Sequence, residues 1–253
     1  MSQPILRGPL SVGAALLCAG LLASCSGSTG STSTTPAPSS SQPGSSSSAT
    51  QTGEGPSAKE VWANVRKEAL AATSATMVGT VTTDSQTMGV TITGETDGDP
   101  QRATLDLGGT QGEVTIVTVN KAYYMTGDQA FWTEQAGADA AKALKGKYVV
   151  IEEAAAKELG DFQVGAILKE MFSDPELSAF ESLLTPVQQQ RLGDTDAWVL
   201  GAQGAGQLFV SADGKNQLLK IVGPKSSPGE FAFSGWNVAP KIAAPAKKDI
   251  VTP

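Results

Sequence analysis

Between residues 88 and 125 apolar side chains recur at every second position, and this period limits the possible folds more than any other feature of the sequence. Val90 and Ile92 alternate with Gly and Thr, and Leu105 and Leu107 alternate with polar residues. Successive side chains of a strand point to opposite faces of a sheet, so the pattern predicts strands with one covered and one solvated face. Turn residues separate these segments, which predicts an antiparallel meander.

Segments with helical periodicity precede the predicted strands and lie between them. Ser57 and Glu60 have the spacing of a capping box, and the apolar stripe that follows predicts a helix to about residue 72. Residues 137–184 have mostly helical spacing, and period-two segments return from residue 187 onward. The order predicts an α+β fold, a single curved antiparallel sheet (a half-barrel of roughly ten strands) with helices on its concave face.

A curved sheet that helices only partly cover leaves a groove lined by aliphatic side chains, which suits acyl chains. The residues predicted to line it are Val90, Ile92, Leu105, Leu107, Ile116 and Leu208. Periodicity alone favours a tightly packed core instead, because alternating strands always have an apolar face. Four tryptophans could line the mouth of a pocket or belong to the core: Trp62, Trp132, Trp198 and Trp236.

The N-terminal residues have the pattern of an export signal. Arg7 precedes an uncharged run, Leu10 to Leu22, which is too short to span a membrane but typical of a signal peptide. The run ends in Leu-Ala-Ser followed by Cys25, which resembles the bacterial lipobox. That resemblance implies removal of residues 1–24 and a diacylglycerol thioether on Cys25. A plain secretory signal, with Cys25 present by chance, is the alternative.

Residues 26–56 consist almost entirely of Ser, Thr, Gly and Pro with one acidic residue. Such a segment cannot bury enough apolar surface to offset the entropy of ordering, so we expect a disordered tether after the lipidated Cys25. Residues 57–253 are then the single folded domain. This organisation predicts a protein held by lipid on the extracytoplasmic face of the cell membrane.

Composition argues against most enzymes and against nucleic acid as a partner. The chain has no His, and its two cysteines are Cys18 and Cys25, so the predicted domain lacks imidazole and thiol chemistry. Only carboxylate, Lys or Tyr chemistry remains, and no convincing acid pair is present. The net charge of −7 disfavours binding to phosphate backbones. We therefore expect no enzyme activity and no cofactor.

Two groups of charged residues could bind ions or headgroups. Glu95, Asp97 and Asp99 alternate as in a calcium loop, but Pro100 stands where that loop needs Gly, so a turn is favoured. Four lysines could contact anionic lipid headgroups, although scattered lysines are usually solvated: Lys59, Lys142, Lys145 and Lys147.

Several strand and turn segments resemble a known family. They are Val119-Asn120-Lys121-Ala122-Tyr123-Tyr124-Met125 with Phe131-Trp132, Gly146-Lys147-Tyr148-Val149, and Leu208-Phe209-Val210-Ser211-Ala212-Asp213-Gly214. Together with Phe233-Ser234-Gly235-Trp236-Asn237, they are similar to the actinobacterial LppX/LprG-like envelope lipoproteins, whose fold is similar to the LolA/LolB carriers. The resemblance implies a half-barrel that binds an amphipathic lipid or lipoglycan without enzyme activity. The alternative is a structural or interaction lipoprotein with a filled core and a protein partner.

Overall fold

The computed structural model describes residues 55–83, 86–152, 162–174, 178–182 and 187–251. The predicted signal, Cys25 and nearly all of the predicted tether lie outside these residues. The described chain forms one sheet of twelve strands with helices packed against it.

The first six strands follow one another in an antiparallel meander, with two helices inserted before the sixth. They are β1 (Ser74–Thr83), β2 (Gln86–Glu95), β3 (Gln101–Asp106), β4 (Glu113–Val119), β5 (Ala122–Gly127) and β6 (Tyr148–Ile151). Five more strands form a second antiparallel meander, and a short last strand follows. They are β7 (Gln188–Leu192), β8 (Thr195–Ala202), β9 (Gly206–Ser211), β10 (Leu218–Val222), β11 (Gly229–Ser234) and β12 (Ile250–Val251).

The two meanders join through their first and last strands. β11 pairs antiparallel with β1, with Phe233 opposite Met77, so the spatial order runs β12-β6-β5-β4-β3-β2-β1-β11-β10-β9-β8-β7. β12 lies parallel to β6, with Ile250 opposite Tyr148. The sheet is open, because its two edge strands β12 and β7 do not pair with each other. It is mixed, because β12 and β6 are parallel while the other neighbouring strands are antiparallel.

Four α-helices occur in the described parts of the chain. They are α1 (Ala58–Ala71), α2 (Gln129–Ala136), α3 (Ala138–Leu144) and α4 (Val164–Ser173). A 3₁₀ turn at Ala179–Ser182 packs near α1, and another at Lys247–Asp249 precedes β12. None of the described helices combines the length and the apolar content that a membrane crossing requires.

Helix α1 begins at the predicted capping box. The Ser57 hydroxyl accepts the Glu60 amide at 3.2 Å, and the Glu60 carboxylate accepts the Ser57 amide at 2.8 Å. The stripe that α1 turns toward the sheet is buried, with Val65 fully inaccessible. The cap satisfies amides that the first helical turn leaves unpaired, and burial of the stripe supplies the apolar contribution to stability.

Around β2 and β3 the two faces of the sheet differ in polarity, as the alternation predicts. On the face opposite the helices, threonine hydroxyls pair across neighbouring strands, Thr76 with Thr93 at 3.1 Å and Thr104 with Thr115 at 2.9 Å. On the helix-covered face, the row that contains Ile92 continues through Ala103 to the second half of the first meander. β2 and β3 therefore contribute one apolar and one polar set each. β8 and β9 differ, because Ala197, Val199 and Phe209 form a separate buried cluster on the opposite face.

The predicted α+β half-barrel with helices on its concave face is confirmed. The sheet has twelve strands rather than roughly ten, and its last strand comes from the Pro-containing tail, which pattern alone marks as irregular. A two-residue strand is too short to show a period in the sequence. It forms only because the partner strand β6 lies beside it.

Candidate functional site

The helix-covered face carries two apolar clusters. The main core joins α1, α4 and the 3₁₀ turn at Ala179–Ser182 to strands of both meanders. The second cluster lies under α2 and α3 and rests on β4 and β5. Partly exposed Leu105 on β3 packs against both clusters, so the two are continuous across the sheet.

The structure divides the six predicted pocket residues between these clusters. Val90, Ile92 and Leu208 belong to the main core, whereas Ile116 belongs to the second cluster and Leu107 packs against it. Val90 pairs directly with Leu105, and Ile92 and Ile116 both lie opposite Ala103 on β3. Four of the six therefore lie on the neighbouring strands β2 to β4, and Leu107 directly follows β3.

Leu208 is separated from the other predicted pocket residues. Its cross-strand row reaches Val90 through Ile221, Phe231 and Gly79, which is four strand spacings or about 19 Å along the sheet. Leu208 lies on the same face of the sheet as Val90, because the two belong to one cross-strand row. The strand order, which puts the second meander beyond β1, sets its distance from the others.

Aromatic rings fill the main core. Trp62 on α1 lies 5.4 Å from the Phe172 ring and 6.3 Å from the Phe180 ring, and Phe233 stacks on Trp236 at 6.1 Å. Ile92 is fully inaccessible in the same cluster, and Leu208 is 1% exposed. In this region the packing agrees with the alternative that periodicity favoured, a tightly packed core.

The second cluster is smaller and has a partly exposed aliphatic rim. Six residues are buried in it: Val114, Ile116, Met125, Phe131, Trp132 and Ala141. Five partly buried side chains surround them: Leu105, Leu107, Leu144, Val149 and Ile151. This rim lies on the same face of the sheet as the main core. Its aliphatic side chains are partly exposed to solvent and could contact a ligand.

Helix α2 places its aromatic pair by means of a cap and a glycine. Asp128 caps the helix by accepting the Phe131 amide at 2.8 Å. Gly127, directly before the cap, leaves room for the Phe131 ring, which a β-carbon at that position would overlap. Trp132 then packs edge-on against Phe131, with ring centroids 5.1 Å apart.

The indole nitrogen of Trp132 has no hydrogen-bond partner among the described residues, although the side chain is buried. By contrast, the buried indole nitrogen of Trp236 donates to the Leu218 carbonyl at 2.9 Å. Buried polar groups nearly always have partners, and an exception requires an explanation. In the sequence Trp132 looks like the other three tryptophans, and only its surroundings in the fold distinguish it.

Helix α4 is held over the sheet by two long-range side chains. Gln101 on β3, which is buried, accepts the Val164 amide at 3.0 Å and donates to the Phe162 carbonyl at 3.2 Å. At the other end, Arg66 of α1 donates to the Phe172 carbonyl at 3.2 Å. Gly165 allows the helix to approach the Thr96 carbonyl, which a β-carbon would overlap.

The acidic group near residue 97 has a structural role, as the turn interpretation expects. Both carboxylate oxygens of Asp99 accept backbone amides, from Asn120 at 2.8 Å and from Lys121 at 2.7 Å. The Asp97 carboxylate accepts the Asp99 amide at 3.1 Å. In the described ranges no three His, Cys, Asp or Glu residues are placed to hold a metal ion.

Two surface carboxyls, Glu60 and Asp213, have lowered pKa values. Hydrogen bonds from the backbone amide and then the hydroxyl of Ser57 lower the pKa of Glu60. The Lys215 amide, followed by the Ser211 hydroxyl, lowers the pKa of Asp213. Both groups stabilise local turns or helix ends, and neither belongs to the second cluster.

One shallow depression, lined by Glu68, Ala69, Gln217, Leu218, Trp236 and Asn237, has a cavity volume of about 20 Å³. It is smaller than the cavities of roughly 300–1,000 Å³ that usually hold small molecules, and polar groups make up much of its lining. The second cluster is the stronger candidate because it combines an apolar rim with a buried donor that finds no partner among the residues described.

No protein-family model matches the chain, and no curated protein is significantly similar to it. Solved structures are similar in fold. LprF from Mycobacterium bovis is 15% identical with a TM-score of 0.48, and the match covers 75% of this chain and 97% of LprF.

Two further solved structures have lower scores. The Mycobacterium tuberculosis lipoprotein LppX is 12% identical with a TM-score of 0.35, covering 74% of this chain and 98% of LppX. An uncharacterized conserved protein from Thermus thermophilus is 12% identical with a TM-score of 0.33, covering 78% of this chain and 99% of that protein. LppX, one of the proteins for which the resembled family is named, is among these similar structures.

Proposed function

We propose that this chain is a non-enzymatic envelope lipoprotein that binds an amphipathic lipid or lipoglycan at the second cluster. The buried indole nitrogen of Trp132, which has no hydrogen-bond partner in the part of the chain that the structure describes, is the observation that carries the proposal. In this account the ligand places a carbonyl or hydroxyl oxygen on that donor and its acyl chains against the aliphatic rim.

The chemistry of the second cluster favours this class of ligand. A buried donor without a partner costs about 1–3 kcal/mol, and an ester carbonyl of a lipid would remove that cost. Acyl chains would cover the partly exposed rim side chains, at about 25 cal/mol for each Å² of apolar surface withdrawn from water. A purely polar ligand would gain nothing from the rim, and a hydrocarbon would leave the donor unpaired.

The proposed location depends on Cys25 and the tether. A diacylglycerol group on Cys25 would anchor the chain to the extracytoplasmic face of the membrane. Residues 26–56 would then act as a flexible spacer with a mean span of roughly 30 Å. The folded domain of residues 57–253 could therefore meet lipid at the bilayer surface.

The filled main core favours a second candidate, a structural or interaction lipoprotein that binds a protein partner. Trp62, Phe172 and Phe180 occupy the space that a large central cavity would need. The two candidates differ in whether the second cluster takes up lipid, so an experiment on that cluster separates them.

Two matched substitutions test the proposal. Trp132→Phe removes the unpaired donor and keeps an aromatic ring, whereas Trp236→Phe removes a donor that the Leu218 carbonyl already accepts. For Trp132→Phe we expect weaker binding of a pyrene-labelled diacylglycerol and no loss of melting temperature. For Trp236→Phe we expect unchanged binding and a loss of about 1 kcal/mol of stability.

The opposite pattern contradicts the proposal. If Trp132→Phe binds the labelled lipid as tightly as the unmodified chain, the indole does not contact the ligand. If neither the unmodified chain nor either variant binds it, the structural or interaction candidate replaces the lipid-binding one.

A further inference from the structure

Five lysines come together where the C-terminal segment meets β6. We call them the lysine surface: Lys142, Lys145, Lys147, Lys247 and Lys248. The first three belong to the end of α3 and the turn before β6, and the other two belong to the 3₁₀ turn before β12. The parallel pairing of Ile250 with Tyr148 places these two segments side by side.

A direct contact joins the two halves of the lysine surface. The Lys147 ammonium donates to the Lys248 carbonyl at 3.0 Å and lies 3.5 Å from the Asp249 carboxylate. The side chains of Lys145, Lys247 and Lys248 are exposed and have no acidic partner within the described ranges. Their charges are therefore available to an outside partner.

The charge of this region is opposite to that of the rest of the chain. Residues 138–152 and 239–251 contain six lysines and three acidic residues, for a net charge of +3. The whole chain has a net charge of −7, so the remainder carries −10. A local positive surface on an acidic protein attracts an anionic partner to that surface, while the negative charge of the rest of the protein repels the partner.

The lysine surface adjoins the second cluster. Leu144 lies between Lys142 and Lys145 in the chain, and Val149 follows two residues after Lys147. Both aliphatic side chains belong to the rim of the second cluster. A partner that the lysines hold would therefore lie beside the site at which we propose that lipid binds.

We propose that the lysine surface docks the folded domain on a bilayer rich in anionic lipid. Juxtamembrane lysines are each attracted to such a surface, and the attraction falls off within a Debye length. This inference rests on the proposed function, since the lipid anchor keeps the domain within reach of the bilayer. Docking there presents the rim of the second cluster to the membrane from which lipid enters or leaves.

Vesicle sedimentation tests the docking. The chain from residue 25 onward with Cys25→Ser keeps the tether and the domain and removes the anchor. We expect it to sediment with phosphatidylglycerol-containing vesicles, to stay in solution with pure phosphatidylcholine vesicles, and to be released by added salt. The triple variant Lys145→Gln, Lys247→Gln, Lys248→Gln should partition at least about tenfold more weakly.

A matched triple variant keeps the overall charge change the same. Lys67, Lys169 and Lys225 are exposed lysines elsewhere on the domain, and their replacement by Gln should leave vesicle binding nearly unchanged. Replacing Lys145, Lys247 and Lys248 by Arg keeps the charges and should retain binding. This Arg variant remains informative if the Gln variant does not fold.

Three results overturn the docking inference. The first is that the Cys25→Ser chain does not sediment with anionic vesicles, and the second is that both Gln triple variants lose binding equally. The third is that inorganic phosphate releases the chain at concentrations where chloride of equal ionic strength has no effect. The last result would indicate a site for free phosphate groups. Co-purified lipid is measured separately on the same samples. A chain without lipid that still docks contradicts the proposed function and supports the docking.

Discussion

The side-chain oxygen of Gln101, in the middle of the sheet, accepts the backbone amide of Val164, the first residue of α4, at 3.0 Å. The helix has no side-chain cap of its own, so a residue from β3 supplies one. The Gln101 amide also donates to the Phe162 carbonyl, just before the helix. One buried side chain thus fixes the position at which α4 begins on the concave face, where the helix covers the main core.

Replacing Gln101 by Leu should destabilise the fold by about 1–3 kcal/mol, because the Val164 amide and the Phe162 carbonyl then lose their buried partner. Urea unfolding measures the effect. Gln189→Leu, at an exposed position of edge strand β7, is the matched control and should change stability little. Equal effects at the two positions would show that the cap contributes nothing.

Tryptophan substitutions should distinguish the main core from the rim. Ile92→Trp overfills a fully buried position and should cost about 1–3 kcal/mol of stability. Leu107→Trp adds bulk at the partly exposed rim, so we expect a cost below about 1 kcal/mol and less bound lipid. Thermal unfolding and lipid content are measured on both variants, and lost stability with unchanged lipid in Leu107→Trp would contradict the account.

The capping box predicts a pH effect with a definite sign. Hydrogen bonds from Ser57 lower the pKa of Glu60 below its ordinary value of 4.5. A carboxyl with a lower pKa in the folded state stabilises the fold above its unfolded pKa, and this contribution disappears as the pH falls through the folded value.

Stability measured by urea unfolding should therefore decline as the pH falls below about 4.5, and Glu60→Gln should reduce the slope. Gln keeps the capping-box geometry but does not titrate. Identical slopes for the variant and the unmodified chain would mean that the interaction of Glu60 with Ser57 does not contribute in solution.

Lipid attachment is expected at Cys25 alone. Cys25→Ser should abolish labelling by a palmitate analogue and leave the signal segment uncleaved. Cys18→Ser, which alters a residue of the predicted signal, should be labelled normally. Labelling that persists in Cys25→Ser would refute the lipobox interpretation.

Much of the fold follows from short-range patterns. Val90, Ile92 and Leu105 alternate with polar residues because each strand has one covered face, and the structure pairs these strands in the expected order. Ser57 and Glu60 form the expected cap because their interaction spans a single turn. Such features depend on neighbours within a few residues and are therefore visible in the sequence.

Other features depend on distant partners or on loop geometry. Asp213-Gly214 predicts a two-residue hairpin turn, but six residues connect β9 to β10, and Asn216 adopts a left-handed conformation with φ of 52°. Gln101 has no pattern that marks it as the cap of a helix 63 positions away. The unpaired nitrogen of Trp132 is defined by what surrounds it, which no local pattern encodes.

Native mass spectrometry of the unmodified chain, purified from its own host in mild detergent, tests the central claim most directly. We predict a population that is heavier than the anchored polypeptide by the mass of one bound lipid. Collisional activation should release this lipid, while the covalent anchor on Cys25 remains. Trp132→Phe should reduce that population. A spectrum that shows only the anchored polypeptide, with no releasable lipid, would contradict the account.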